Sequence, residues 1–572
     1  MSKQAHKQTE QRHATMPLTR FSRAVLLAIV VFTALYRFNA LGGSLGGFDN
    51  DHFVHFAYAR QMLSGEQPLR DFLSVGLKGV PPSLTFEASA AAQRWLGANL
   101  RSEALLSVGA LTIAAALTYV AAARIASIWL AVIVTLLTVF ESPKLYNYPK
   151  VLVFAAAALL IHRYTRRPTV AHACALAALT SIAFLFRHDY AVYVGAGAVA
   201  VLALTSVSWK TRLTSLVVYS GLTLLLLAPS LWYVERHWGV AEYFKDSLEI
   251  SQREAQHTTL RWPSFTRADE DGQPVSTLRL MGLEQNAVAW LYYVHWVLPG
   301  AMLLALLLSR RAPNLDGKRT TLVALSAMAM VALPFMLRGN VAARFGDVGP
   351  LVSVLLAGVA VAVLARRPGE RRTLWTLRAA VLVGVLAVTT SAVRTIGDVR
   401  QELDTSGWSD SAEKVVEQAN RRWHELADLP NAYWTEPPRK GSVQTIQYLN
   451  RCTAPSDRVL VMTYAPEIVG LSGRLFAAGL SRLIPEEFTS ERHQRVSIER
   501  WKQQSVPIVL TEDDALYKSY PMEFSLVDAY VKANYEVAGR VEIDGGAMLR
   551  VWARRGAQPK GTFGSTGLPC FQ

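Results

Sequence analysis

Two aspartates and two histidines lie close together near the N-terminus, in a spacing that suits acid–base chemistry. They are Asp49, Asp51, His52 and His55, and residues 52–64 are predicted to form a helix that an aspartate begins and Gly65 ends. Either aspartate could be only an N-cap that accepts backbone N–H bonds. Alternatively, the carboxylate of Asp51 or Asp49 could take a proton from an attacking hydroxyl group. Asp49, Asp51 and His55 could also hold a divalent metal, although the sequence requires no cofactor.

Basic and aromatic residues that suit a phosphate group occur at other polar joints of the chain. A lysine ammonium supplies positive charge, a tyrosine hydroxyl supplies a hydrogen bond, and a guanidinium can bind two phosphate oxygens. Structural interpretations compete, because Tyr and Lys also anchor helix ends at a membrane interface and an Arg–Asp pair can simply close a turn. The predicted phosphate-binding residues at these joints are Lys150, Tyr148, Arg187, His188, Asp189, Arg344 and Asp347.

The elements that must position these residues are mostly long apolar runs. Of the 572 residues, 51% are hydrophobic and 18% are charged, whereas a soluble protein carries about 25% charged residues. Runs of about 20 apolar residues predict membrane-spanning helices. About eleven candidates are present, at residues 23–41, 103–122, 126–141, 150–164, 170–187, 190–208, 213–233, 286–308, 320–337, 348–365 and 376–393.

The distribution of Lys and Arg predicts the orientation. The N-terminal tail and four alternate joints between the apolar runs are basic, which is typical of cytoplasmic segments. The formal charge of +15 is thereby explained by topology, and nucleic-acid binding is not expected. The other joints carry carboxylates, histidines and aromatic residues. We therefore expect the chemistry at the outer face of the cytoplasmic (inner) membrane.

The predicted fold is mainly α, with a small α/β domain at the C-terminus. Residues 1–22 form a cytoplasmic tail, residues 23–393 a transmembrane helix bundle with outer loops 42–102 and 234–285, and residues 394–572 an extracytoplasmic soluble α/β domain. Short buried strands are predicted at 458–464 and 506–511, and a hairpin at 541–554. This tail contains no GxGxxG, P-loop, GxSxG or HExxH motif, which favours a stabilising or substrate-capping role.

Three cysteines exclude a disulfide-dense scaffold. Cys174 falls within an apolar run and is expected to be a small core residue. Cys452 and Cys570 would share the outer compartment, where a disulfide between them and two free thiols are both compatible with the sequence.

The first outer loop resembles that of membrane glycosyltransferases of the GT-C class, such as protein O-mannosyltransferases and the aminoarabinose transferase that acts on lipid A. Those enzymes show an Asp-Glu pair, a helix of the form xxYxxxARxML, and a glycine. Asp51 takes the place of the Asp, His52 of the Glu and His55 of the Tyr, and Ala59-Arg-Gln-Met-Leu-Ser-Gly65 follows in register. Because His52 departs from the pattern, either Asp51 or Asp49 could be the base.

The resemblance implies a GT-C-like fold and an inverting transfer of a sugar from a polyprenyl-phosphate-linked donor. The acceptor would be a hydroxyl of a glycan, a lipid or a protein. Lys78 becomes a further phosphate candidate, because the similar transferases place a lysine beside the Pro-Pro that corresponds to residues 81–82. Two rival hypotheses remain: a transporter or lipid flippase, which should show repeats and broken helices at mid-membrane, and a non-catalytic envelope protein with an outer binding domain.

Overall fold

A computed structural model gives the fold of this chain. It describes residues 19–41, 48, 50–76, 81, 83–256, 262–269, 273–308, 318–337, 341–365, 371–427, 440–484, 487–513, 520–543 and 547–572. Asp49, Lys78 and Pro82 lie outside the described residues, as do Gly545 and Gly546 of the predicted hairpin turn.

Helices make up most of the described chain. In chain order they are α1 (Arg20–Ala40), α2 (Asn50–Leu63), α3 (Leu84–Leu96), α4 (Leu100–Ile125), α5 (Ile128–Phe140), α6 (Tyr148–Arg166), α7 (Val170–Phe186), α8 (His188–Leu204), α9 (Trp209–His237), α10 (Val240–Gln256), α11 (Glu284–Leu308), α12 (Arg319–Ala332), α13 (Phe345–Leu364), α14 (Arg372–Ile396), α15 (Val399–Thr405), α16 (Ala412–Glu425), α17 (Lys440–Cys452), α18 (Pro466–Ser472), α19 (Glu491–Lys502), α20 (Tyr520–Glu523) and α21 (Ser525–Asn534).

Every predicted apolar segment coincides with a helix. Among the described residues, α1, α4, α6, α9, α11, α13 and α14 are the 7 helices long and apolar enough to cross a membrane. The apolar helices α5, α7, α8 and α12 are shorter. The chain is thus a multi-pass membrane protein, and the number of eleven spans stays a prediction.

The strands lie in the C-terminal part. They are β1 (Arg458–Met462), β2 (Leu475–Phe476), β3 (Ile508–Glu512), β4 (Tyr535–Glu542), β5 (Met548–Arg554), β6 (Gly561–Phe563) and β7 (Leu568–Cys570). The larger sheet has the order β2-β1-β3-β5-β4. Strands β2, β1 and β3 are parallel, while β5 is antiparallel to β3 and β4. This arrangement confirms the predicted small sheet region.

The chain divides into two compact units. The membrane unit comprises residues 1–46, 107–228 and 259–418, and the loop–tail unit comprises residues 47–106, 229–258 and 419–572. The loop–tail unit therefore joins most of the predicted outer loop 42–102 and the first half of the predicted outer loop 234–285 with the C-terminal segment.

Small residues let the helices of the membrane unit approach closely, as is usual where lipid removes the hydrophobic drive for helix association. A Cβ atom at Gly358 of α13 would lie 2.5 Å from Leu322 Cδ2 of α12, and one at Gly197 of α8 would lie 2.9 Å from Ile161 Cδ1. A side chain at either glycine would therefore require the end of the Leu322 or Ile161 side chain to shift.

Contacts between the joints define the two ends of the membrane unit. At one end, Lys150 contacts Asp347, Arg37 donates a hydrogen bond to Ser142, and Ser142 donates to Glu402. At the other end, four cations lie close enough to His162 to interact electrostatically: Arg166, Arg124, Lys318 and Arg163. The carboxylate-bearing joints and the basic joints are thus segregated, as the charge pattern predicts.

In the loop–tail unit, aromatic side chains of the first loop pack against the sheet. Tyr58 of α2 is fully buried and stacks on Phe86 at 4.7 Å. Its ring also lies 5.0 Å from that of Phe476 in β2, and Phe72 contacts the same ring at 5.7 Å. Gly65, with φ +96°, ends α2 in the left-handed conformation that glycine tolerates best. The first loop is consequently part of the tail's core.

Cys452 and Cys570 form a disulfide in the loop–tail unit, and Cys174 is a free thiol. The bond joins the end of α17 to β7 across a sequence separation of 118 residues. The structure therefore has the disulfide and not the two free thiols that the sequence also allowed.

Replacing both linked cysteines with alanine should destabilise the loop–tail unit by about 4 kcal/mol, because a cross-link over a long loop restricts the unfolded chain. Pulse proteolysis of the full chain in urea measures this loss. Cys174→Ala is the matched control and should leave the cleavage midpoint of the tail unchanged. An unchanged midpoint in the double variant would contradict the stabilising role.

Candidate functional site

The Asp51 carboxylate is held by two side chains of the C-terminal segment. The Tyr464 hydroxyl donates a hydrogen bond to Asp51 Oδ1 at 2.5 Å, and Arg482 Nη1 lies 3.6 Å from the same oxygen. The Asp51 side chain remains 30% exposed, whereas that of Arg482 is 8% exposed. Asp51 is thus a carboxylate fixed from one side and accessible to solvent.

The charge states of the two supporting groups follow from their surroundings. Burial and the neighbouring charge of Asp51 both raise the pKa of Tyr464 well above its usual value, so its hydroxyl stays protonated and can donate. Burial alone would lower the pKa of Arg482, but the Glu487 carboxylate outweighs it and holds that pKa above the ordinary value. Arg482 donates to both Glu487 oxygens, at 3.0 and 2.6 Å.

Sequence reasoning missed Tyr464, Arg482 and Glu487. Tyr464 lies two residues after the carboxyl end of the buried parallel strand β1, a position where functional side chains often gather. That position was the only available signal. Arg482 lies in an irregular segment and carries no comparable pattern.

Behind Asp51, the same helix inserts His52 into a buried polar cluster. His52 Nε2 lies 3.4 Å from Glu103 Oε2, and both side chains are 1% exposed. The hydrogen bonds to Glu103 in this cluster come from Ser89 and Gln93 of α3. The contact between His52 and Glu103 fixes the rotation of α2 about its axis, because the buried Glu103 carboxylate requires polar partners next to it. His52 is therefore part of the support beneath Asp51.

His55 is buried within the core of this unit, next to His52 and Phe86. Asp49, the third member of the suggested metal set, lies outside the described residues. Among the residues that the structure describes, no group of three or more His, Cys, Asp or Glu side chains could hold a metal ion.

In the membrane unit, Lys150 and Asp347 form a buried ion pair at 3.3 Å, with side chains 9% and 2% exposed. The Asn147 amide also donates to Asp347 Oδ2 at 3.2 Å. Tyr148, the first residue of α6 and two residues before Lys150, is also buried. The predicted phosphate ligand Lys150 therefore already has a carboxylate partner.

Arg187 and Asp189 form a two-bonded ion pair at the turn between α7 and α8. The two N–O distances are 2.7 and 3.0 Å, and the Tyr193 hydroxyl donates to the same carboxylate at 3.1 Å. His188 begins α8, and its ring contacts Phe184 at 5.2 Å. This geometry matches the structural interpretation, in which the pair closes the turn.

The three joints nevertheless meet at one end of the membrane unit. Asp189 interacts electrostatically with Lys150 as well as with Arg187. Tyr190 is close enough to Asp347 and Arg344 to interact with both. Arg344 is partly buried at the start of α13, and its side chain forms no ion pair or hydrogen bond with any residue that the structure describes. Lys78, the fourth predicted cation, lies outside the described residues; of Lys150, Arg187 and Arg344, only Arg344 has a charge that no described residue matches.

Comparison with known proteins adds the following. No protein-family model matches the chain, and no curated protein matches it. Among solved structures, the oligosaccharyltransferase AglB from Archaeoglobus fulgidus, in complex with an inhibitory peptide and a dolichol-phosphate, is similar with a TM-score of 0.41 and 13% identity, over 94% of this chain and 75% of that one. The same organism's oligosaccharyltransferase in the apo form gives a TM-score of 0.40 and 12% identity, over 91% of this chain and 74% of that one. Overlap at this level does not assign a function.

A buried ion pair is expected to dominate the stability of the membrane unit near these joints. Asp347→Asn leaves the Lys150 ammonium buried without its counter-charge, which should cost about 3 to 5 kcal/mol. The thermal unfolding midpoint in detergent measures the loss. Lys150→Met combined with Asp347→Leu removes both charges and should recover most of it, whereas an Asp347→Asn protein as stable as wild type would contradict the pairing.

The buried histidine His493 couples the stability of the loop–tail unit to pH. His493 Nε2 lies 3.3 Å from Asp246 Oδ2, which also accepts a hydrogen bond from the Trp238 indole at 2.8 Å. Burial lowers the pKa of His493 below its usual 6.5, and Asp246 opposes this shift only in part. The unfolded chain therefore binds a proton here before the folded chain does.

Stability of the loop–tail unit should fall as pH drops from neutrality to about pH 5, because protonation favours the unfolded state. His493→Gln should flatten this dependence, measured as the unfolding midpoint against pH. His424→Gln, at an exposed position of the same unit, is the control and should keep the wild-type slope. A wild-type slope in His493→Gln would refute the assignment.

Proposed function

We propose that this protein is an inverting glycosyltransferase that moves a sugar from a polyprenyl-phosphate-linked donor to an acceptor hydroxyl. The reaction takes place at the outer face of the cytoplasmic membrane, and the acceptor is a glycan, a lipid or a protein. The observation that carries the proposal is the accessible Asp51 carboxylate, fixed by Tyr464 and Arg482 in an otherwise buried setting.

Asp51 acts as the general base. A base must reach the proton that it removes and must stay ionised before the reaction. Partial exposure meets the first requirement, and the nearby Arg482 guanidinium meets the second by favouring the charged carboxylate. Tyr464 orients the carboxylate and leaves the acceptor hydroxyl free to approach from the solvent side.

The cations of the membrane unit stabilise the leaving group. Departure of a lipid phosphate places negative charge on its oxygens, and preorganised positive groups lower the barrier to that step. Arg344 is the principal ligand, because its charge is unmatched among the described residues. Lys150 contributes further positive charge, although it is already paired with Asp347.

One carboxylate is sufficient for this chemistry. The acceptor oxygen attacks the anomeric carbon, its proton passes to Asp51, and the bond to the phosphate breaks on the opposite side. This single displacement inverts the anomeric configuration. A hydrolase of ordinary glycosides needs a second carboxylic acid to protonate a poor leaving group, whereas a phosphate leaves as a stable anion.

Two features support the orientation. The Cys452–Cys570 disulfide is typical of an oxidising compartment, which supports a location of the loop–tail unit outside the cytoplasm. The cations grouped around His162 are typical of cytoplasmic ends of membrane helices. Flipped lipid-linked sugars would then be presented on the side that carries Asp51.

Asp51→Asn keeps the side-chain shape and its acceptor for Tyr464 but removes the base. Transfer of radiolabel from a panel of polyprenyl-phosphate sugars to envelope acceptors should fall by about 100-fold or more, with normal membrane insertion. Asp71→Asn is the matched control, because Asp71 lies in the same unit, has an equally exposed side chain (30%) and also pairs with an arginine.

Normal turnover in Asp51→Asn would reject the proposal and favour the transporter or the non-catalytic envelope protein. Tyr464→Phe serves as a second variant. It should retain measurable but slower transfer, because the carboxylate keeps its charge and loses only the hydrogen bond that orients it.

A further inference from the structure

A cavity of about 640 Å³ lies within the membrane unit, apart from the Lys150–Asp347 pair. Its size falls in the range of small-molecule sites, about 300 to 1,000 Å³. The lining comes from the segment before α11, the first turns of α11, and Val341. None of the residues so far assigned a role lines it.

Hydrogen bonds fix the wall of this cavity. The buried Asn286 amide accepts from the Thr266 backbone N–H at 2.6 Å and donates to the carbonyls of Thr266 and Leu280 at 2.9 Å each. The Tyr293 hydroxyl donates to the Pro263 carbonyl at 2.9 Å. The segment is therefore held against α11 on both sides, and the cavity is a built feature of the fold.

The chemistry of the lining suits a sugar. Trp262 is 57% exposed, and Tyr292 and Trp296 hold its ring edge-on at 5.7 and 6.1 Å. An exposed indole face can pack on the C–H face of a pyranose ring. The polar groups of the lining can exchange hydrogen bonds with sugar hydroxyls. They belong to Ser264, Thr266, Asp269, Glu284 and Gln285.

The charge of the lining residues restricts the class of ligand further. Two of the described lining residues, Asp269 and Glu284, are carboxylates, and none is basic. An acidic sugar or an anionic lipid headgroup would therefore be repelled. The ligand class is a sugar unit without acidic groups.

The cavity also adjoins the proposed phosphate ligand. Val341 lines it, and the Arg344 backbone N–H donates to the Val341 carbonyl at 3.0 Å. One turn of 3-10 helix separates these residues, about 6 Å along the axis, which is comparable to the reach from a sugar ring to its anomeric phosphate. We propose that this cavity binds the sugar of the donor while Arg344 binds its phosphate, an inference that rests on the proposed function for the identity of the donor.

The first test measures sugar binding without any phosphate. Saturation-transfer NMR on the full chain in nanodiscs is applied to methyl glycosides of glucose, mannose, galactose, arabinose and N-acetylglucosamine, with methyl glucuronide as the acidic probe. At least one neutral glycoside should receive signal, and Trp262→Ala and Glu284→Gln should each abolish it. Trp209→Ala, which removes another strongly exposed tryptophan (67%) of the membrane unit, should not.

Signal from none of the neutral glycosides, signal that survives Trp262→Ala, or equal signal from methyl glucuronide would each overturn the proposal. If no glycoside gives a signal and Trp262→Ala instead loses NMR contacts to phospholipid, the cavity is a lipid site. That result would also overturn the proposal. Asp51→Asn should bind the glycoside as wild type does. If that variant also retains transfer, the proposed function fails while the sugar site stands.

The second test links the cavity to Arg344. The 1-phosphate of the preferred sugar should bind about tenfold more tightly than its methyl glycoside, because a charge-assisted hydrogen bond is added. Arg344→Gln should abolish that gain and leave methyl glycoside binding unchanged. A gain that survives Arg344→Gln would overturn the assignment to the donor.

Discussion

A charge that is removed from water must be matched nearby, because its solvation is otherwise lost without compensation. This constraint organises both units of the protein. Lys150 has Asp347, Arg187 has Asp189, and Arg482 has Glu487. Asp347 and Asp189 lie in the first turns of α13 and α8, and Glu487 lies in an irregular segment, so the pairs hold helix starts and loops in place. Arg344 differs from these three cations, because no residue that the structure describes forms an ion pair with its side chain, and a ligand can supply an anion there.

The proposed chemistry divides the charges by sign. The base lies in a setting where one carboxylate is accessible and its neighbours are buried donors. The leaving group is received by cations at the end of a helix bundle where apolar packing excludes water and strengthens electrostatic interactions. Because the leaving phosphate is a stable anion, the proposed reaction needs no acid group in addition to the base and the cations. The small number of residues in the proposed mechanism is consistent with this.

Local patterns predicted much of this architecture. The apolar segments, α2 with its stop at Gly65, and strands β1 and β3 were all recognisable, because each depends on periodicity or on residues close in sequence. Charge bias also separated the two ends of the membrane unit. The partners of each charge were harder to predict. Lys150 was expected to bind phosphate directly, yet Asp347 reaches it from 197 residues away. Tyr464 and Arg482 were missed entirely, since no local pattern links the tail to Asp51.

The hydrogen bond from Tyr464 to Asp51 spans 413 residues of sequence. Asp51 emerges early in synthesis, whereas Tyr464 and Arg482 are made only after the last membrane helix. At 5 to 20 residues per second, this interval lasts roughly 20 to 80 s. During that time Asp51 lacks the hydrogen bond from Tyr464 and the neighbouring Arg482 guanidinium. The contacts around Asp51 are therefore completed only after the last membrane helix has been made, and under the proposed function this order would delay activity until then.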